Sequence, residues 1–193
     1  AFSLYTRQSL KQVGGWPECV GEDIVLSWAL LETGARIGYC EEACLFTNVP
    51  TTVRQFSRQR QRWSRGLMEA FARHWSLLFK PRMSTLFIWW NLLFLPLDLV
   101  YTLAFLPGLV LALFGHYWIA GVMTLAVLPL AAIWNGIIFR VQARMFKNRE
   151  LRVRRNIGGF LFYTVGYTML LQPVCVMGYA AELLRLRKTW GTK

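Results

Sequence analysis

TLFIWWNLLFLPLDLVYTLAFLPGLVLALF, residues 85–114, is the stretch on which the fold turns. It exceeds the roughly 20 apolar residues that a helix needs to cross a hydrocarbon core of about 30 Å. Two further runs, residues 117–139 and 158–184, come near or above the same length. Trp89, Trp90, Tyr117, Trp118 and Trp134 lie near the ends of these runs, as the aromatic belt of a membrane interface does. That placement argues for about three transmembrane helices and against three long helices buried in a soluble core.

Outside the runs the character reverses. The chain of 193 residues is 55% hydrophobic yet carries a formal net charge of +12, so grease and charge must be segregated along it. Residues 140–156 hold Arg140, Arg144, Lys147, Arg149, Arg152, Arg154 and Arg155 against the single acid Glu150, which the positive-inside rule makes cytoplasmic. Because the bases flank membrane segments and do not decorate a soluble fold, anionic lipid headgroups are the expected partner and nucleic acid is not. Cys19, Cys40, Cys44 and Cys175 form no C-x-x-C pair and have no histidine at ligand spacing, so neither zinc nor a disulfide framework is expected.

Residues 1–50 have soluble character. GGWP at residues 14–17 breaks the chain before Gly21-Glu22-Asp23, which opens a helical run from Ile24 to about Glu32, and Gly34 stops it. ARIGYC (35–40) and ACLFTN (43–48) are short, β-prone and separated by acids, which reads as strand-turn-strand. From Thr52 the period becomes helical, with a capping box at Thr52 and Gln55 and apolar residues at Phe56, Trp63, Leu67, Phe71, Trp75 and Leu78. Arg54, Arg58, Arg62, Arg65 and Arg73 fall elsewhere on that helix, so residues 51–83 read as an amphipathic helix lying in the membrane interface. Residues 84–184 are then the transmembrane region and 185–193 a basic tail. If all three runs cross, this tail, with Arg185, Arg187, Lys188 and Lys193, ends on the outer side against the positive-inside rule. Gln172-Pro173 is the expected place for a bend that brings it back, and Pro96-Leu97-Asp98 is the alternative.

Two constellations carry chemistry. Glu22-Asp23 sits at a helix start, where backbone amides and the dipole favour a carboxylate, although acids are also common there as plain caps. Gln59, Arg62 and Trp63 of QRQRW fall within about one helical turn of each other. A guanidinium offers a planar fork to phosphate oxygens, an indole a flat face for a sugar ring, and an amide a bond to a hydroxyl. An Arg-rich interfacial helix with no catalytic role has the same look.

Taken in order, Glu22-Asp23, IVLSWALLETGARIGYCEEACLFTNVP and RQRQRWSRGLMEAF resemble the end of the catalytic domain of processive family 2 glycosyltransferases, the group of cellulose, chitin, hyaluronan and poly-N-acetylglucosamine synthases. The EDIxxSW run and the RQRxRW context look closest to the poly-N-acetylglucosamine branch. The resemblance implies a mainly α membrane protein. It would comprise the C-terminal remnant of an α/β GT-A domain, an interface helix with the Q-x-x-R-W motif at the mouth of a translocation channel, and the spans. It implies Asp23 as general base with Glu22 as its neighbour, and Gln59, Arg62 and Trp63 as substrate-binding residues. It also implies that Trp190-Gly191-Thr192-Lys193 resembles the WGT[R/K] gating loop over the nucleotide, in which Trp190, Thr192 and Lys193 match; a basic juxtamembrane tail is the alternative.

The implied reaction is inverting transfer from a UDP-sugar to a growing glycan on the cytoplasmic side of a bacterial inner membrane, by a multi-pass protein. A Mg²⁺ or Mn²⁺ ion is implied, with its D-x-D ligands and a uridine-binding aspartate upstream of a segment like that near Phe2 to Arg7. The chain, whose first residues AFSLYTRQSL read as mid-domain, is thus expected to be a fragment inactive by itself. Secretion or regulatory subunits are further partner candidates. The rival readings are a non-processive family 2 transferase acting on a lipid-linked acceptor and a non-catalytic membrane transport or scaffold protein.

Overall fold

The computed structural model describes residues 3–40, 43, 45–151 and 156–187. It is mainly helical, with α1 (Arg7–Gln12), α2 (Glu22–Glu32), α3 (Val53–His74), a 3₁₀ turn (Trp75–Phe79), α4 (Met83–Val100), a π-helical turn (Tyr101–Phe105), α5 (Leu106–Leu113), α6 (Val122–Lys147), α7 (Ile157–Val165) and α8 (Tyr167–Leu183). The described residues contain no strand, so the strand-turn-strand expected within residues 35–48 is not seen among them; residues 41, 42 and 44 of that stretch lie outside the described residues. The physical reason is a missing partner. Tyr39 and Phe46 are 89% and 80% exposed, and a lone hairpin without a third strand or a covering helix is at best marginal in water.

The chain divides into two compact units, Ala1–Asp98 with Val174–Lys193, and Leu99–Pro173. In the first, α2 starts at Gly21 without a side-chain cap but with Glu22 and Asp23 in its first turn, where carboxylates suit the dipole. It ends at Gly34, whose φ of 90° supplies the left-handed residue of a helix C-terminus, with Ala35 N–H bonded to Leu30 O at 3.1 Å. The carbonyls near this end accept from Lys80 Nζ (Glu32 O, 3.2 Å) and Arg82 Nη1 (Leu31 O, 3.1 Å), cations placed where the dipole favours them. α3 has the expected capping box, shifted by one residue on one side. Thr52 Oγ1 accepts from Gln55 N–H at 3.2 Å, whereas Gln55 Oε1 reaches back to Thr51 N–H at 3.1 Å.

The core of this unit lies where α2 crosses α3 and the 3₁₀ turn. Cys19, Val25, Trp28, Ala70, Leu77 and Ile88 are buried together, and Trp28 meets Phe71 edge to face at 4.8 Å. Each fully buried large apolar side chain is worth about 1.5–3 kcal/mol, and Leu26 and Leu77, at 1% and 2% exposure, are of that kind. Beside the core Glu32 accepts from Ser76 Oγ at 2.6 Å and meets His74 Nδ1 at 2.8 Å. Burial opposes charging of Glu32, but the bonds from Ser76 and His74 outweigh it and hold the carboxyl below its ordinary range. The end of α8 packs on α3 at Gly178, where a side chain would strike Ser64 Oγ and the Gln61 backbone. Tyr179 O–H donates to the buried Asp98 carboxylate of α4 at 2.8 Å.

In the second unit Leu106 N–H reaches back to Tyr101 O, the five-residue step of a π turn, and the hydroxyls of Tyr101 and Thr168 are 3.2 Å apart. Gly108 lets α5 approach Ile119 closely. α6 runs through Pro129 unbroken. Two helical stretches, Met83–Leu113 and Val122–Lys147, are long and apolar enough to cross a membrane. Only 11% of the apolar window of the first and none of that of the second is buried within the chain, so their surfaces need another apolar medium. This is a membrane protein. The third candidate is bent by 49° between Ile157–Val165 and Tyr167–Leu183. The bend expected at Gln172-Pro173 therefore falls at Gly166, with Pro173 accommodated inside α8. Glycine is the residue of lowest helical preference short of proline, and it stands where two apolar helices join.

Candidate active site

The two expected constellations sit on two helices that touch. α2 places Glu22 and Asp23 at its first two positions, Glu22 half-buried and Asp23 exposed. Asp23 Oδ1 accepts from Ile24 N–H at 2.8 Å, and its backbone carbonyl accepts from Ser27 Oγ at 2.8 Å. The residue before them, Gly21, lies against Gly66 of α3 so closely that a β-carbon on Gly21 would come within 2.5 Å of the Gly66 Cα. One turn further, the Glu69 carboxylate accepts from Val20 N–H at 2.9 Å and Gly21 N–H at 3.1 Å. Glu69 is 5% exposed, and a buried carboxylate taking two backbone amides is a strong, directional clamp. The start of α2 is thus pinned to α3 by a glycine contact and a buried acid.

Helical geometry places the motif around that pin. Gln59, Arg62, Gly66 and Glu69 are separated by three, four and three residues, which puts them in one stripe along α3. Arg62 lies one turn before Gly66, on the face that meets the approach to Glu22-Asp23, and Gln59 one turn before that. Trp63 lies off this stripe. Its ring, on a residue 53% exposed, has the Arg60 guanidinium 4.3 Å from its centroid, and the same guanidinium is 5.2 Å from the Phe56 ring. One indole face is therefore braced by a cation.

The structure brings the helix carrying Glu22 and Asp23 together with the helix carrying Gln59, Arg62 and Trp63, but Asp23 makes no hydrogen bond or ion pair to those three side chains. Trp190, Thr192 and Lys193 lie outside the described residues. Sequence reasoning missed Gly21, Gly66 and Glu69. Their signals were a glycine inside a strongly periodic helix and the lone acid of an arginine-rich one. It also missed Arg60, and Arg65 was read only as a member of a basic face. Cys19 lies beside the pin, where burial, then the Glu69 charge, pushes its thiol up and away from reactivity. Among the described residues no three His, Cys, Asp or Glu side chains converge as metal ligands, so these residues do not fit the implied divalent ion and no step here runs through it.

The chain matches poly-beta-1,6-N-acetyl-D-glucosamine synthase of Staphylococcus epidermidis at 33% identity over 88 residues, 45% of this chain and 21% of that protein. The protein of the same name from Staphylococcus aureus (strain COL) matches with the same identity and shares. The chain thus spans about a fifth of the length of these curated relatives. No solved structure matches it. The family model described as glycosyl transferase family group 2 matches residues 1–139, well over half of the chain, and the chain belongs to that family.

Proposed function

We propose that the chain is the membrane-embedded part of a processive, inverting synthase that takes a sugar from a UDP-sugar, adds it to a growing glycan and passes the polymer across the membrane. The observation that carries this reading is the Gly21–Gly66 contact with its Glu69 clamp, which supports a single site formed by the start of α2 and the Gln59–Arg62 stripe of α3. Asp23, exposed at a helix start, takes the proton of the acceptor hydroxyl as that oxygen attacks the anomeric carbon. Glu22 helps to position it. Arg62 offsets charge on the departing diphosphate, and Gln59 fixes a hydroxyl or the Arg62 side chain. The face of Trp63 not covered by Arg60 is the platform for the acceptor sugar.

The likeness to synthases of an N-acetylglucosamine polymer supports processive extension over single addition. A divalent cation, if bound, would be held by residues other than those described here and would supply charge neutralisation. Catalysis runs on the cytoplasmic side of a bacterial inner membrane, where Trp190, Thr192 and Lys193 close over the nucleotide. The test is the full-length enzyme in membranes with a panel of UDP-sugars. UDP release with formation of a long polymer from one of them is the expected result, and a product one sugar longer than a lipid acceptor would replace the processive reading by the non-processive one.

A further inference from the structure

The junction before α2 poses a problem that its own residues do not solve. Gly21 is the N-cap, its carbonyl accepting the first helical bond from Val25 N–H at 2.9 Å, and an N-cap is normally a residue whose side-chain oxygen takes up a free amide. Here a side chain is barred, because a β-carbon on Gly21 would meet the Gly66 backbone of α3 at 2.5 Å. Val20 and Gly21 are also buried, where an amide without an acceptor is costly. Glu69 supplies the acceptor from α3. Both bonds, from Val20 N–H at 2.9 Å and from Gly21 N–H at 3.1 Å, end on one oxygen, Oε2. In a capping box the acid in the first turn reaches back to the N-cap amide of its own helix; Glu69 makes that bond from a different helix. It stands three residues after Gly66, so the residue that lets the helices meet and the residue that caps the junction share one face of α3. The Gly21 amide that it holds is two residues before Asp23, and Arg62 lies one turn before Gly66 on the same stripe.

We propose that Glu69 is a positioning residue of the transferase: by capping α2 from α3 it fixes Asp23 against the Arg62 stripe, and its loss is read in turnover and not in donor affinity. This rests on the synthase reading above and deepens it, because Glu69 lies outside the Q-x-x-R-W motif and acts through Asp23. What the junction requires is an acceptor at the right reach more than a charge, since both amides end on a single oxygen. Glycine at position 21 explains why the cap has to come from another helix at all.

The test is steady-state kinetics and amide hydrogen exchange on the full-length enzyme in nanodiscs, with a UDP-sugar that the wild type consumes. Two variants separate reach from charge. Glu69→Gln keeps a side-chain oxygen at the same distance and loses the charge, whereas Glu69→Asp keeps the charge and draws the oxygens back by one methylene. Glu69→Asp should lower kcat about tenfold while the donor KM changes far less, with faster exchange at Val20 and Gly21. Glu69→Gln should keep most of the wild-type kcat and the slow exchange. The reverse ranking, two unaffected variants, or a raised donor KM at unchanged kcat would each overturn the proposal and leave the transferase intact. Because Glu69 acts through Asp23, the two losses should not add, and Glu69→Asp in the Asp23→Asn background should change the residual rate little. Misfolding lowers the active fraction in either background, so a further fall of the same size there would overturn the positioning role. A wild-type enzyme that consumes no nucleotide-sugar, or an Asp23→Asn enzyme at the wild-type rate, would overturn the reading on which the proposal rests, whatever the Glu69 variants do.

Discussion

Asp23 occupies the second position of α2, where its side chain accepts from the neighbouring Ile24 amide and is exposed, within reach of an attacking hydroxyl. Asp23→Asn keeps the shape and removes the proton acceptor. Polymer formation by the full-length enzyme should fall roughly 100-fold or more with donor binding retained, and a near wild-type rate would remove Asp23 from the chemistry. Arg62 and Trp63 should fail differently, because one acts through charge geometry and the other through a surface. Arg62→Lys keeps the charge without the fork and should depress turnover. Trp63→Ala removes the platform and also releases Arg60 from its ring, so it should shorten the product more than it slows each addition, as product sizing would reveal. If rate and chain length were both unaffected, the pair would be lipid-contact residues of an interfacial helix.

At the scale of elements, the fold depends on two close helix approaches made by glycine. Gly66→Ala would drive a methyl to within 2.6 Å of the Gly21 Cα, a contact with backbone that no rotamer can relieve. It should cost about 1–3 kcal/mol, lower the thermal midpoint and, by shifting α2 on α3, reduce activity beyond what the lost stability explains. Gly136→Ala on α6, where nothing lies within 4 Å of the new β-carbon, is the control and should be neutral or slightly stabilising. These contacts explain how much was legible beforehand. The helical period, the Thr52 cap and the long apolar runs are local signals carried within a few residues, and all three read correctly. The β-prone stretches ARIGYC and ACLFTN misled because strand formation depends on a neighbouring strand, which no local pattern can supply. Glu69, Arg65, Gly66 and Gly178 act across gaps of tens of residues, so spacing along one helix could not announce them. Proline at 173 drew attention away from Gly166 because its cost in a helix is large on average, yet α8 absorbs it.

At the scale of the whole molecule, the Arg65 clamp bears on membrane topology. α3 precedes the first candidate span and α8 ends the last, yet Arg65 of one holds Glu182, Leu186 and Arg187 of the other. On the proposed multi-pass reading, both ends of the membrane region would lie at one face, and the chain between them would cross an even number of times. Met83–Leu113 and Val122–Lys147 are candidates for two crossings, and on the proposed reading the pair bent by 49° at Gly166 would be a re-entrant element. A cysteine placed at Thr192 of the full-length protein, with the native thiols accounted for by the parent protein, should react with an impermeant reagent only in membranes opened to the cytoplasmic face. Bound UDP should slow that reaction if the tail covers the nucleotide. Labelling from the outer face of intact cells would mean three plain crossings, and the Arg65 contacts could not then exist in the membrane.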